Sequence, residues 1–181
     1  RLIDETPRYG AEGKRIAWVR IVSDDVFVQD ELWPLWFNWF HATTRESVVR
    51  RELLFRADEP FRDALAEETM RNLRGMGIFT LARIVAVATA DPNAVGVLVY
   101  TRDIWSLRFE QSFNITTQVN ELLLRVTERN LFGYNKTIGL DFYMVPKTYM
   151  IQPFYYARRV FNSRVSLSES VGVIFNNATR E

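Results

Sequence analysis

Residues able to perform catalysis are sparse in this chain, and their spacing fits no catalytic motif. His41 is the single histidine, and the sequence contains no cysteine. Asp24 and Asp25 are adjacent carboxylates, but successive residues of a strand point to opposite faces of its sheet, so this pair is poorly placed for acid–base catalysis. The sequence also has no Gly-rich phosphate loop, no Ser-centred elbow and no metal-spaced cluster. We therefore predict no enzymatic activity, no metal site and no cofactor.

Aromatic side chains form a second group with a chemical preference of its own. Residues 31–41, ELWPLWFNWFH, hold three tryptophans and two phenylalanines. Trp rings favour the boundary between water and lipid headgroups. Two interpretations remain open: the rings pack over a sheet as a short helix or loop, or they form an aromatic patch at a membrane interface. In the second interpretation the interfacial residues are Trp33, Trp36, Trp39 and Phe40.

Two amphipathic helices are predicted downstream of the aromatic run. Thr43 and Glu46 have the spacing of a capping box, which predicts that the first helix starts at Thr43. Asp63 is the predicted N-cap of the second helix, and Gly75 and Gly77 offer the left-handed residue that ends many helices. The apolar positions of the first helix are Val48, Val49, Leu53 and Phe55. At and beside the second helix, the residues that repeat at helical spacing are Phe61, Leu65, Thr69, Leu73 and Met76.

Three apolar segments flank the helices and are predicted to be strands. RIAWVRIVSDDVF precedes the helices, while FTLARIVAVATA and VGVLVYT follow them, joined by a turn signal at Asp91, Pro92 and Asn93. The resulting order, β-α-α-β-β, is typical of a compact α+β unit with both helices on one face of a small sheet. Residues 1–14 are polar and are predicted to be a linker or an extended arm.

The order and spacing of several motifs resemble a known family. VVRRELLF, DEPF and LAEETMRNLRGMGIF are followed by a valine-rich hairpin that ends in VLVYTRDIWSLR. Over about residues 15–105 this series resembles a POTRA (polypeptide-transport-associated) domain. It is most similar to the last such domain before the membrane barrel in the BamA and TamA superfamily of outer-membrane proteins. Further along, NLFGYNK and RRVFNSR are similar to strand–turn segments at the start of those barrels.

The resemblance implies a location and a role. It implies a protein of the Gram-negative outer membrane, with residues up to about 105 in the periplasm, that assembles outer-membrane proteins or translocates polypeptides. The implied partners are outer-membrane lipid, an unfolded or extended client polypeptide and accessory assembly proteins. In the family, the strand after the helix pair is often an exposed edge that captures clients by β-augmentation, in which backbone hydrogen bonds supply the affinity. Here that strand is residues 79–88, and its candidate client-binding residues are Phe79, Leu81, Arg83, Val85 and Val87.

From Ser106 onward, alternating apolar and polar residues replace the helical pattern. Segments of about ten residues with this alternation are typical of transmembrane β-strands, and we predict that residues 106–181 form an antiparallel all-β segment, the first strands of an outer-membrane barrel. One segment, TYMIQPFYYARR, is ambiguous in phase and interrupted by Pro153. The candidate lipid-facing residues are Leu107, Phe109, Ile138, Leu140, Phe142, Val171 and Val173.

Two alternatives stand beside the membrane interpretation. A soluble antiparallel sheet with one wet face shows the same alternation, so a soluble periplasmic binding or scaffolding module is the first alternative. Four or five strands cannot close a barrel, since the smallest single-chain barrels have about 8 strands. We therefore expect the chain to be a fragment of a longer protein, and a homo-oligomeric pore of short subunits is the second alternative.

Composition excludes two further classes of protein. Hydrophobic residues make up 48% of the chain, which is enough for a packed core and argues against a disordered chain. The net charge of +1 argues against a general nucleic-acid-binding protein, which would carry a clear basic excess. No run of about 18 apolar residues is present, so no transmembrane helix is predicted.

Overall fold

The computed structural model of this chain describes residues 10–24, 42–115, 119–160, 163 and 165–176. The chain divides into two compact units. The described part of the first unit is residues 10–24 and 43–104, and that of the second is Ala42 together with the described residues from Trp105 onward. The predicted aromatic patch, at Trp33, Trp36, Trp39 and Phe40, lies outside the described residues, as does most of the predicted N-terminal arm.

The first unit combines a three-stranded sheet with two helices. Its elements in chain order are β1 (Arg15–Asp24), α1 (Glu46–Arg50), α2 (Asp63–Arg74), β2 (Phe79–Ala88) and β3 (Ala94–Asp103). The strand order across the sheet is β1-β3-β2, in which β3 pairs with β1 in parallel and with β2 in antiparallel fashion. None of the helices in the described part of the chain is long and apolar enough to cross a membrane.

The core of the first unit lies between the helices and one face of this sheet. Alternate residues of β3, namely Val95, Val97 and Val99, are fully buried in it. β-branched side chains suit such positions because they pack well on a pleated surface. The helices and the segments beside them contribute Val49, Phe55, Phe61, Ala66 and Leu73 to the same cluster.

The predicted start of the first helix is wrong. α1 begins at Glu46 with Arg45 as its N-cap, and no side chain caps it, so Thr43 and Glu46 form no capping box. Thr43 is exposed, whereas Thr44 is buried and bonds to Asp103 instead of to the helix. α1 also ends at Arg50, so Leu53 and Phe55 follow the helix, and Phe55 enters the core from the segment after it.

The second helix starts one residue earlier than predicted, because Asp63 is its first residue and Arg62 its N-cap. The Asp63 amide donates to Glu12 Oε2 at 2.7 Å, so a carboxylate from the segment before β1 satisfies one of the amides that a helix start leaves without a partner. At the other end, Gly77 has the predicted left-handed conformation, with φ 70°, while Gly75 is right-handed, with φ −66°.

The second unit is an antiparallel sheet. Its strands are β4 (Leu107–Ile115), β5 (Val119–Glu128), β6 (Lys136–Val145), β7 (Thr148–Ala157), β8 (Leu167–Ser170) and β9 (Val173–Asn176). β4 to β7 pair in chain order, and β8 and β9 both pair with β7. Over the described residues the sheet is open, with β4 at one edge and β8 and β9 at the other. The described part of the chain is therefore mostly β-sheet, with few helices.

Pro153 accounts for the division between β8 and β9. The two strands keep one register along β7, with Phe154 opposite Ser170 and Ile151 opposite Val173. That register places Val171 opposite Pro153, and the Val171 amide donates to the Pro153 carbonyl at 3.2 Å. The reciprocal bond cannot form, because proline has no N–H. The sequence predicted that Pro153 interrupts its own strand. Instead β7 continues through Pro153, and the break lies in the neighbouring chain segment, between β8 and β9.

Candidate functional site: an apolar sheet face and an open strand edge

One face of the second sheet is apolar and exposed. Directly opposed residues share a face, and one such row runs from Phe109 through Val126 and Leu140 to Pro153. The exposed fractions of the first three are 63%, 42% and 47%. The other large exposed side chains on this face are Phe113, Ile138, Ile151, Leu167, Val171, Val173 and Phe175.

The opposite face carries a sheltered ion pair. In the adjacent row, Glu110, Arg125, Asp141 and Gln152 lie opposite one another on four successive strands. Arg125 Nε and Nη2 donate to the two carboxylate oxygens of Asp141 at 2.7 and 2.6 Å. The exposed fraction of Asp141 is only 8%. This bidentate geometry is the strong form of a charged hydrogen bond, so it fixes both side chains against the sheet.

An aromatic ring completes the shelter of this ion pair. The Arg125 guanidinium lies over the Phe154 ring, 5.5 Å from its centroid. Phe154 in turn lies across Gly139, where an added Cβ would stand 2.2 Å from the ring. Only glycine fits at position 139, because the Phe154 ring approaches its backbone so closely. The position of the ring on which Arg125 stacks therefore depends on Gly139.

The structure brings the predicted lipid-facing residues onto one face. Leu107, Phe109, Ile138, Leu140, Phe142 and Val173 share it, and Leu107 and Phe142 are half-buried there. Val171 also lies on this face, opposite Pro153 and in the gap between β8 and β9, and it is exposed. Tyr149 and Phe175 are stacked on this face, with ring centroids 4.7 Å apart. Sequence reasoning missed this pair, because the pattern of β7 alone does not show which of its residues face which side of the sheet. Contact of this face with lipid stays a prediction.

The first sheet has an edge at β2, which pairs with β3 alone among the described strands. The amide of Arg15 donates to the Asn93 carbonyl at 3.3 Å across the β1–β3 pair. Since bonding direction alternates along a strand, odd-numbered residues of β3 direct their backbone groups to β1 and even-numbered ones to β2. The Ile104 amide follows this rule by donating to the Ile78 carbonyl at 2.9 Å.

This alternation fixes which backbone groups of β2 point outward. Leu81, Arg83, Val85 and Val87 lie opposite even-numbered residues of β3, so their amides and carbonyls face β3. The outward-facing backbone groups belong to Ala82, Ile84 and Ala86, which sequence reasoning did not select. Arg74 at the end of α2 supports this assignment, because its Nη2 donates to the Ala82 carbonyl at 3.4 Å.

The five predicted client-binding residues therefore occupy two kinds of position. Phe79 precedes a bulge in β2, and its side chain packs against the core. The other four contribute side chains to the sheet face opposite the helices, because Ala82, Ile84 and Ala86 face the helices in the core cluster. On that face Trp18 lies across Gly96, where an added Cβ would stand 2.2 Å from the indole ring.

Asp24 takes part in a polar cluster on the same sheet face and not in a carboxylate pair. The Tyr100 hydroxyl donates to Asp24 Oδ2, and Arg102 Nη2 donates to the Tyr100 oxygen at 3.2 Å. The hydrogen bond to Asp24, with partial burial, raises the pKa of Tyr100 above its usual value of 10.0. Asp25 lies outside the described residues, within which no three His, Cys, Asp or Glu side chains are grouped as metal ligands.

Comparison with known proteins bears on the fold. Neither a protein-family model nor a curated protein sequence matches this chain. Among solved structures, the chain is similar to "The crystal structure of BamA from Haemophilus ducreyi lacking POTRA domains 1-3", with a TM-score of 0.66 and 14% sequence identity. The chain has a BamA-like fold. This confirms the coarse prediction from the sequence motifs.

The extent of the match is also informative. It covers 98% of this chain and 33% of the BamA chain, so the present chain spans about a third of the length of that structure. At 14% identity the likeness concerns the fold.

Proposed function

We propose that this chain is part of a Gram-negative outer-membrane β-barrel protein that assembles or inserts outer-membrane proteins, or translocates polypeptides. The observation that carries the proposal is the distribution of side chains on the second sheet. Its exposed face is apolar, and its opposite face holds the sheltered pair Arg125 and Asp141. A sheet in water with one wet face buries its apolar side, whereas the apolar side of this sheet is exposed.

Lipid suits this distribution. A transmembrane strand presents apolar residues to the hydrocarbon and polar residues to the barrel interior. β5, β6 and β7 are 10 residues long each, and a tilted strand needs about 9–11 residues to span the bilayer. The length and the alternation of these strands therefore both agree with a membrane-spanning sheet.

The proposal requires additional strands beside β4 and beside β8 and β9. An unpaired backbone group in hydrocarbon costs several kcal/mol, so an open sheet edge is not stable there. Strands from a longer chain or from further copies would complete the sheet. The match of this chain to a third of the length of a BamA structure agrees with the first of these sources.

The first unit, in this proposal, is a POTRA-like domain in the periplasm that receives the client. The outward-facing amides of Ala82, Ile84 and Ala86 and the outward-facing carbonyls of Ile84 and Ala86 on β2 are the groups that an incoming extended polypeptide would pair with. The Ala82 carbonyl already accepts from Arg74 Nη2 at 3.4 Å. Backbone pairing gives affinity with little demand on client sequence, which suits a protein that handles many clients.

Two lysine substitutions at matched depth test the membrane assignment. Leu140 lies on the apolar face and Gln152 on the opposite one, and both are near the middle of their strands. A lysine facing lipid near the midplane destabilises a barrel by about 2–4 kcal/mol, while one facing the interior is tolerated. We expect Leu140→Lys to abolish co-flotation of the protein with liposomes and Gln152→Lys to retain it.

The choice of Gln152 as the control follows from the geometry. Asp141 also faces the interior, but a lysine there would leave Arg125 beside a second positive charge. Equal flotation of both variants, or a chain that stays monodisperse without detergent, would contradict the membrane assignment and favour a soluble module.

A further inference from the structure

The turn between β5 and β6 presents an aromatic ring in an uncommon backbone conformation. Phe132 has φ 53° and ψ 24°, in the left-handed region that bulky residues rarely adopt. Its exposed fraction is 70%, the largest among the exposed hydrophobic side chains in the described part of the chain. A strained residue persists only where the surrounding structure holds it, so this turn keeps Phe132 displayed.

Asn130 is the residue that holds the turn. It is only 2% exposed. Its Oδ1 accepts from the Asn135 amide at 2.9 Å and its carbonyl accepts from the Gly133 amide at 2.8 Å. Its own amide donates to Glu128 Oε1 at 2.7 Å. These bonds fix both ends of the segment that carries Phe132, so the ring is displayed at little entropic cost on binding.

The turn lies at a defined level of the proposed membrane sheet. Its flanking strands β5 and β6 are 10 residues long, enough to cross the hydrocarbon, which leaves the turn at a membrane boundary. Glu128, the last residue of β5, lies opposite Leu107, the first residue of β4, so the turn is at the end of the sheet where β4 begins. Asn130 Nδ2 also donates to the carbonyl of Ala42 at 3.1 Å.

We propose that the turn at residues 131–136 is a preorganised membrane-interface anchor, with Phe132 inserted at the level of the phospholipid headgroups. Tyr134 is exposed in the same turn, and the Lys136 ammonium lies 5.9 Å from the centroid of its ring. An aromatic ring beside a cation suits this boundary, since the ring favours the interface and the ammonium attracts lipid phosphate. The inference rests on the proposed membrane-spanning sheet.

Single cysteines provide a direct test of depth, because the chain has none of its own. The full chain would carry Phe132→Cys, Leu140→Cys or Lys147→Cys, each labelled with an environment-sensitive fluorophore, in liposomes of phosphatidylethanolamine and phosphatidylglycerol. Lys147 is the matched control, because it is also left-handed, with φ 66°, and lies in the turn between β6 and β7. Nitroxides on the headgroup or in the middle of the acyl chain would quench the label according to its depth.

We expect the label at 132 to be quenched best by headgroup nitroxide, the label at 140 by mid-chain nitroxide, and the label at 147 by aqueous iodide. A label at 132 that iodide quenches as fully as at 147, with 140 still in the hydrocarbon, would overturn the anchor alone. A label at 140 in water would overturn the membrane-spanning sheet as well, so the two failures are distinguishable.

The stability of a Phe132→Asn variant gives a second test. Relief of backbone strain and loss of a membrane anchor would change that stability in opposite directions. Asparagine tolerates the left-handed conformation, so relief of strain alone would stabilise the turn. Loss of the interfacial ring should instead raise the equilibrium constant for urea unfolding in liposomes by about three- to tenfold. Lys147→Asn should leave it unchanged. A Phe132→Asn chain that is as stable as the parent or more stable in liposomes would refute the anchor.

Discussion

Asp103, the last residue of β3, accepts two hydrogen bonds from Thr44, which lies just before α1. The Thr44 amide donates to Asp103 Oδ2 at 2.6 Å and the Thr44 hydroxyl donates to the same oxygen at 2.9 Å. Both residues are buried. These two hydrogen bonds fix the chain against the end of the central strand immediately before the first helix. The predicted capping box would instead have fixed this segment through contacts within the helix start.

Thr44→Val should destabilise this part of the first unit by about 1–3 kcal/mol, because it removes a hydrogen bond to a buried acceptor, Asp103 Oδ2, while preserving shape. Hydrogen exchange over residues 43–55 in the full chain measures the loss directly. Thr43→Ala is the matched control, since Thr43 is exposed and α1 has no side-chain cap. We expect that change to stay within about 0.5 kcal/mol. A larger loss of stability for Thr43→Ala than for Thr44→Val would show that Thr43 does cap the first helix.

Two proline substitutions at neighbouring positions test the β2 edge. The Ile84 amide points outward, so Ile84→Pro should leave the first unit folded and abolish capture of an extended peptide, because proline is tolerated where the amide is not used. Val85→Pro should destabilise the unit, since the Val85 amide faces β3. Circular dichroism reports folding, and a fluorescent extended peptide reports capture. Peptide binding by Ile84→Pro at parental affinity would show that clients bind elsewhere.

Several elements of the first unit could be predicted from sequence because their signals are local. The turn between β2 and β3 is confirmed: the Asn93 amide donates to Asp91 Oδ1 at 2.9 Å and the Ala94 amide to the Asp91 carbonyl at 3.1 Å. The first helix was overextended because Leu53 and Phe55 continue its apolar pattern. Tertiary contacts end it earlier: the Leu54 amide donates at 3.2 Å to the hydroxyl of Thr69 on α2.

The candidate site was less predictable, because its residues are brought together by the pairing and register of the strands. Alternation along β6 correctly placed Ile138, Leu140 and Phe142 on one face. No side-chain pattern shows which backbone groups of an edge strand point outward, so Ala82 and Ile84 were missed. The ion pair of Arg125 with Asp141 was missed as well, since it depends on the register between two strands.

Tyr100 predicts a pH dependence at the alkaline end. Its hydrogen bond to Asp24 and its partial burial raise its pKa above 10.0, so the folded state favours the neutral phenol. Its contribution to stability is fully present below about pH 10 and is lost as the pH rises from there through the raised pKa of the folded state. Tyr100→Phe should reduce this alkaline loss, measured by unfolding at a series of pH values with tyrosinate absorbance as the titration signal. An identical alkaline profile in the variant would place the sensitive group elsewhere.

One substitution at Pro153 should join β8 and β9 into a continuous strand. Pro153→Ala supplies an amide opposite the Val171 carbonyl, and the second bond of that pair can then form. A new hydrogen bond contributes about 0.5–1.5 kcal/mol, and the loss of proline costs about 0.4–1 kcal/mol through the unfolded chain. Global stability should therefore change little, while the amide of residue 153 becomes protected from hydrogen exchange. Pro146→Ala, in the turn between β6 and β7, is the control and should yield a fast-exchanging amide. Fast exchange at residue 153 as well would mean that the missing proline amide is not what separates β8 from β9.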